Sequence, residues 1–492
     1  MNILLIYPKF PDTFWSFTYA LRFIKKKSAF PPLGLLTVAA LLPEEWPKRL
    51  VDENTEVIKD EDLEWADLAL VGAMAIQRDA AGQIIRRCKA RGLKVVAGGP
   101  LFSAEPDAFE DVDHFVLDEA EVTLPDFVAD LNDGCPQRTY RANAYPDIRT
   151  TPVPLWHLID MRRYASLNIQ YSRGCPFNCE FCNITALFGR RPRIKTPQQV
   201  LAELDAIYRT GWRGNIFFVD DNFIGNKGSL KKHLLPALIE WRKDKKGCVF
   251  FTESSINLAD DPELMDMMAR AGFDSVFIGI ESPDENCLTE CHKGHNMNRD
   301  LIKDIKKIHR SGLQVMGGFI VGFDSDTPSI FCRQVDFIQK SGIVSAMVGM
   351  LQAPPGTRLF ERLAQEQRIS KSFSGDNVNG RTNIIPAMGL DRLIHGYRAI
   401  MAQLYAPRQY YQRAKCILSE IKVPVVTIPV DLQRVLAFFR ACVRLGIFGK
   451  ERYQYWYLLM WTLLRRPRLL PLAVTLTIYG YHYRKICELY IL

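Results

Sequence analysis

The chain has 492 residues, 48% hydrophobic and 24% charged, with a formal net charge of +8. Those proportions suit about three globular domains and exclude disordered, collagen-like and coiled-coil chains. No apolar run reaches the roughly 18 residues of a membrane span, and twelve cysteines without an export pattern at MNILLIYPKF point to reduced cytoplasmic thiols, not a disulfide scaffold.

Residues 1–140 alternate strand-like and helical patterns. Apolar runs fall at 2–8, 49–54, 68–74, 94–100 and 114–120, with helical stretches at 31–45 and 79–92 between them. Near-continuous apolar strands with crossover helices predict an α/β domain: a doubly wound, Rossmann-like parallel sheet covered on both faces. Its ligands should bind beyond the carboxyl ends of the strands. No GxGxxG follows the first strand, which weakens a dinucleotide reading. Residues 141–165 carry Pro146, Pro152 and Pro154 and read as a linker.

A second β/α series fills 166–365, with strands expected at 167–173, 215–221, 248–254, 275–282, 314–323 and 344–353. Thr196-Pro197 with Gln199, Asp260/Asp261-Pro262 and Thr327-Pro328 mark helix starts; Gly272 and Gly312 mark helix ends. Six such units predict an open (β/α)6 barrel, a partial TIM barrel with its functional groups at the carboxyl ends of the strands. Residues 366–492 lose the alternation. Helical patterns at 391–405, 408–421 and 431–446 predict a helical C-terminal domain. From 431 onward ten Lys/Arg face three Asp/Glu, so the excess charge sits in a basic, aromatic end.

The chemistry centres on Cys175, Cys179 and Cys182 in RGCPFNCEFCN, just after the first barrel strand. A [4Fe–4S] cube takes four ligands, so three thiolates leave one iron open to a small molecule. A structural zinc site usually takes four ligands from paired knuckles. The nearest candidates for a second pair, Cys287 and Cys291 with His292 and His295, belong to another β/α loop.

CxxxCxxC with an aromatic residue, Phe181, before the last cysteine, on the first loop of a six-unit barrel, resembles the radical S-adenosylmethionine (SAM) superfamily. The resemblance implies a [4Fe–4S] cluster and SAM bound at its open iron. It implies SAM contacts from Phe181; from Asp220 and Asp221, where the superfamily often has Gly-Gly-Glu; from Glu253, Glu281 and Ser282; and from Gly318, Gly322 and Pro355. A doubly wound domain ahead of such a barrel resembles the cobalamin-binding domain of the B12-dependent radical SAM class. Corrin contacts are then expected from Pro8, Met74, Gln77, Gly98, Gly99, Pro100, Glu119 and Glu121. The DxHxxG motif of cobalt-ligating domains is missing, and Asp113-His114 is its nearest match, so the resemblance implies a corrin without a protein histidine on cobalt.

IQYSRGCPFNCEFCN, FGRRPRIKTP, FFVDDNFIGN and GIESPDE resemble the branch of that class that holds the hopanoid C-2 methylase and uncharacterised relatives, over roughly residues 1–410. No counterpart is recognised beyond about residue 425. The activity this resemblance implies is methylation of an unactivated carbon, in a small molecule or lipid, through a 5′-deoxyadenosyl radical and methylcobalamin. A cyclase or rearrangement enzyme with the same cofactors, and a non-catalytic cobalamin or iron–sulfur sensor, are the alternatives. The expected partners are the substrate and a reductant such as flavodoxin or ferredoxin. Nucleic acid is not expected, because the basic end lacks a helix-turn-helix or zinc-finger pattern. Aromatic residues beside arginines in 431–492 fit peripheral contact with the inner face of the membrane.

Overall fold

The computed structural model describes residues 1–376 and 378–492. Its first sheet contains β1 (Ile3–Tyr7), β2 (Lys48–Asp52), β3 (Leu68–Gly72), β4 (Lys94–Gly98), β5 (His114–Val116) and β6 (Thr139–Tyr140), in the order β2-β1-β3-β4-β5-β6. Every pair is parallel. ILLIY and LALVG are buried nearly throughout, because helices cover both faces. The order reverses between β1 and β3, which makes the carboxyl ends of those two strands the switch point where such sheets open a crevice. The doubly wound expectation is met. Tyr140, beside the expected linker, supplies the last rung of this sheet.

The second sheet runs β7 (Ser166–Ile169), β10 (Asn215–Phe218), β11 (Val249–Ser254), β12 (Phe273–Glu281), β13 (Gln314–Val321) and β14 (Ala346–Met350), again all parallel. These are the six strands of the open barrel. The first differs from expectation. The sheet releases the chain after Ile169, and residues 172–173 form a separate strand, β8 (Ser172–Arg173), antiparallel to β9 (Arg193–Ile194). Asp220 is the cause: its carboxylate takes the amides of Tyr171 (3.1 Å) and Ser172 and turns the chain away from the sheet.

Local signals fixed most helix ends. Thr196 and Gln199 form the expected reciprocal cap, Asp261 accepts from the Leu264 amide at 3.0 Å, and Gly272 and Gly312 close helices at φ 99° and 101°. Thr327 does not start its helix. That helix is Ile330–Ser341, entered through a turn in which Thr327 O accepts from the Ile330 amide.

The helices Leu390–Leu404, Pro407–Glu420, Leu432–Ala441, Arg452–Arg465 and Leu470–Ile486 make the carboxyl-terminal region helical, as expected. They are not a free-standing layer. Ile400, Leu404, Ile417, Leu458, Leu476 and Ile486 belong to the same apolar core as the barrel strands. Tyr405 Oη donates to Ala346 O (2.5 Å), Arg440 to Phe23 O (2.5 Å), and His482 Nε2 lies 3.0 Å from Phe14 O.

Candidate active site

The three cysteines lie on the 174–192 loop, which the β8–β9 ribbon closes at its base. Gly174 starts the loop at φ 92°, and a Cβ there would sit 2.9 Å from the carbonyl oxygens of both Gly189 and Phe188. Only glycine lets the loop's two ends come this close. Phe181 anchors the middle of the loop in an apolar cluster with Cys287, Cys291 and Phe323. The Glu180 amide donates to Cys291 O (3.0 Å), and the Glu180 carboxylate pairs with Arg362 (2.8 Å).

All three thiols are half-buried, and burial pushes them up, Cys182 to about 12. Burial thus opposes their ionisation, and the charge of Lys293 partly offsets it. Among the described residues no three His, Cys, Asp or Glu side chains converge on a point where one metal ion could sit. Three thiols on one short loop suit a [4Fe–4S] cluster with one iron left open. Cys287, whose thiol lies 3.0 Å from Asp326 Oδ1, and Cys291 pack as apolar residues behind Phe181. His295 stacks on Phe177 at 3.6 Å; burial, with Lys293 and Arg299 nearby, lowers it to about 3, so it is neutral.

Beside the loop, a cleft of about 460 Å³ is lined by Pro176, Phe177, Asn222 and Ser255, among others. Asn222 Nδ2 bridges Ser255 Oγ (3.3 Å) and Cys175 Sγ (3.8 Å). Three acids crowd this end of the barrel. Burial raises Asp220 to about 7 and Asp221 to about 6; burial and then the charges of Asp221 and Asp220 raise Glu253 to about 8. Asp220 accepts from Tyr171 and Ser172, with Ser172 Oγ at 2.5 Å, and so positions the chain before the cysteine loop. Asp221 accepts weakly from the Gly174 amide (3.4 Å), and the Glu253 carboxylate has no hydrogen-bond donor among the described residues.

Glu281 ends β12 in the left-handed region (φ 64°) and pairs with Lys293 Nζ at 2.5 Å, both buried. Asn296 locks this bend through 3.1 Å bonds to Gly279 O and Ile280 O. Burial opposes the Lys293 charge, but Glu281 and Cys179 outweigh it and raise its pKa. Neither Lys293 nor Asn296 was singled out by sequence; no motif marks them. Ser282 is fully buried and caps the following turn through the Asp284 amide. Gly318 leaves room for the Phe277 ring, Gly322 (φ 107°) donates to Asp326 at 2.7 Å, and Pro355 precedes the Gly356 turn.

The expected corrin contacts divide sharply. Glu119 and Glu121 are committed elsewhere: Arg173 reaches both, at 2.5 and 2.7 Å, and Arg193 reaches Glu119 at 2.6 Å. Four side chains thus clamp the carboxyl edge of the first sheet onto the ribbon that holds the cysteines. Gln77 is buried and ties Pro8 O to the Met74 amide. Gly98 accommodates Val116 O, and Gly99 (φ 91°) turns the chain into the short helix that Pro100 opens. Met74, at the end of β3, is exposed. His114 lies at the opposite end of its strand, its Nδ1 bonded to Gln137 O at 2.7 Å.

Residues 169–338 match the radical SAM superfamily model, and 357–491 match a domain of unknown function, DUF4070. An uncharacterised methyltransferase of Synechocystis is 38% identical over 99% of this chain and 92% of its own length. The hopanoid C-2 methylase of Rhodopseudomonas palustris is 34% identical over 94% and 90%. The chain belongs to the radical SAM methyltransferase family. Similarity to relatives within this family extends well past residue 410 and takes in most of the basic aromatic end, contrary to the shorter span expected. The cobalamin-dependent S-adenosylmethionine radical enzyme OxsB, solved with aqua-cobalamin and SAM, shares the fold: TM-score 0.65 at 15% identity, covering 100% of this chain and 84% of that one.

Proposed function

We propose that this radical SAM methyltransferase uses cobalamin to methylate an unactivated carbon of a lipid at the cytoplasmic face of a membrane. The Arg173–Arg193–Glu119–Glu121 clamp carries the reading, because it brings the ligand-binding edges of both sheets together. The thiols of Cys175, Cys179 and Cys182 fit a cluster with one open iron. Asp221 and Glu253 are raised acids without a bonded cation, the complement a positively charged SAM requires; Phe181 and Glu281, each near Lys293, are further candidate contacts. A corrin would lie against the switch point near Pro8 and Met74, and the missing DxHxxG motif leaves it without a protein histidine on cobalt. Bound together, the three groups supply an electron, a carbon-centred radical and a methyl group. The protein positions them and excludes water.

Likeness to a hopanoid methylase over most of the chain favours a lipid substrate. No helix among the described residues is long and apolar enough to cross a membrane. Phe448, Tyr453 and Leu464, at 79%, 73% and 75% exposure, supply instead an apolar surface beside Lys450, Arg452 and Arg465, suited to peripheral contact. Domain limits at 140, 165 and 365, and a flavodoxin or ferredoxin as electron donor, complete the reading. Anaerobic reconstitution with SAM, cobalamin and reductant tests it: stoichiometric corrin binding and release of 5′-deoxyadenosine are expected. Protein with an intact cluster that binds no corrin contradicts it.

A further inference from the structure

We infer a second ligand site at the amino-terminal end of the barrel, a cavity that receives the apolar body of an amphiphilic lipid. Its volume is about 1430 Å³, against roughly 300–1,000 Å³ for sites that hold drug-sized molecules. Barrels of this kind usually fill that end with layers of side chains. Here the inner wall is the beginnings of the strands, including Phe251 of β11 and Met316 of β13; Trp15 and Phe30 close the sides. The outer wall is formed by Phe438 and Val474, from the helices Leu432–Ala441 and Leu470–Ile486.

The cavity opens onto a surface of matching character. Val430 and Phe439 both line it and are exposed, at 69% and 58%, so apolar wall reaches the surface, with Asp431, Gln433 and Arg434 set among it. Arg434 and Arg468 stand on the same wall; among the described residues neither guanidinium is in an ion pair, though the charges of Asp431 and Asp274 act on Arg434. An apolar rim carrying two arginines against one exposed acid, Asp431, suits uptake of a lipid from an anionic bilayer without crossing water. Inside, Phe251 and Glu253 lie two residues apart on one face of β11, so the cavity ends about 7 Å below the acid-lined mouth. The stacked Phe217 and Phe251 rings (4.7 Å), and Phe277 against Trp15 (5.2 Å), lie between the two.

The identity of the lipid as substrate rests on the proposed function; its binding here does not, and the two can be tested apart. The probe is a pyrene-labelled long-chain fatty acid, titrated into the full-length protein below its micelle concentration. Saturable binding is expected. Ala437→Trp and Val474→Trp, which fill the cavity from two different helices, should each weaken it about tenfold, the cost of some 1.4 kcal/mol. Both should keep the wild-type circular dichroism and, after reconstitution, wild-type SAM cleavage. Unchanged affinity in whichever variant folds overturns the site. So does binding that survives filling but is lost in Phe448→Ser, because Phe448 is exposed and lies outside the cavity. Probe binding without SAM cleavage in the wild type leaves the cavity standing and removes the methyltransferase reading.

Discussion

Replacing Arg173 by methionine should cost about 3 kcal/mol of stability, mostly through Glu121. Arg173 holds Glu119 at 2.5 Å and Glu121 at 2.7 and 3.0 Å, and both carboxylates are buried. Arg193 would stay on Glu119 at 2.6 Å, whereas Glu121 would keep only Thr151 Oγ1 at 2.7 Å. Removing one partner of a buried pair costs about 3–5 kcal/mol because a charge is left uncompensated; the surviving Thr151 bond places the loss at the low end. Burial would raise the Glu121 carboxyl, but the bond and charge of Arg173 outweigh it and hold it below its ordinary value. A depressed carboxyl pKa adds stability above the unfolded value, and that stability is lost as the pH falls through the folded value. Urea unfolding should therefore separate wild type from R173M most at neutral pH, with convergence below about pH 4. Glu121→Gln alone should cost about 1–2 kcal/mol, and the double variant should lie near it. Additive losses, or a difference independent of pH, would refute the clamp.

Alanine at Cys175, Cys179 or Cys182 should each abolish the visible absorption of the reconstituted cluster, while Cys135→Ala and Cys287→Ala retain it. Gly174→Ala forces a Cβ to 2.9 Å from two carbonyl oxygens at φ 92°; it should cost more than about 2 kcal/mol and lower iron content per protein. Because Glu253 is raised to about 8, its ionised form should favour bound SAM, so SAM affinity measured by equilibrium dialysis should fall as the pH drops below that value, about tenfold per unit at most. Glu253→Gln should flatten that profile. Exchanging Phe448, Tyr453 and Leu464 for serine should halve or better the fraction sedimenting with anionic liposomes at low salt; equal sedimentation removes the membrane contact.

The strands were legible because each is a short apolar run bounded by turn residues, and the caps at Thr196, Asp261, Gly272 and Gly312 were legible because they are satisfied within four residues. The cysteine spacing is equally local. What sequence missed is long-range. The two-residue strands β8 and β9 have no period to read, and they exist because Asp220, some 48 residues along the chain, captures the Ser172 amide. Glu119 and Glu121 look like free strand-end acids until Arg173 and Arg193 arrive from the barrel. Lys293 lies in a loop with no motif, and its place beside Glu281 and Cys179 follows only from the bend at the end of β12. The carboxyl-terminal helices read as core or as an interface from sequence; the fold makes one face core, with Leu458 and Leu459 buried, and leaves Met460, Leu463 and Leu464 exposed on another. Truncation before them would expose the shared core, so surface substitutions are the cleaner test of membrane contact.

Following the methyl group puts the proposed chemistry to its sharpest trial. Reconstituted enzyme is incubated anaerobically with SAM deuterated at its methyl, cobalamin, reductant and a membrane lipid extract, and the lipids are analysed by mass spectrometry. Methylation of a lipid carbon predicts 5′-deoxyadenosine together with a lipid carrying one added deuterated methyl on carbon, neither formed by Cys179→Ala. Release of 5′-deoxyadenosine without label in any lipid, or label transfer by the Cys179→Ala protein, would contradict it.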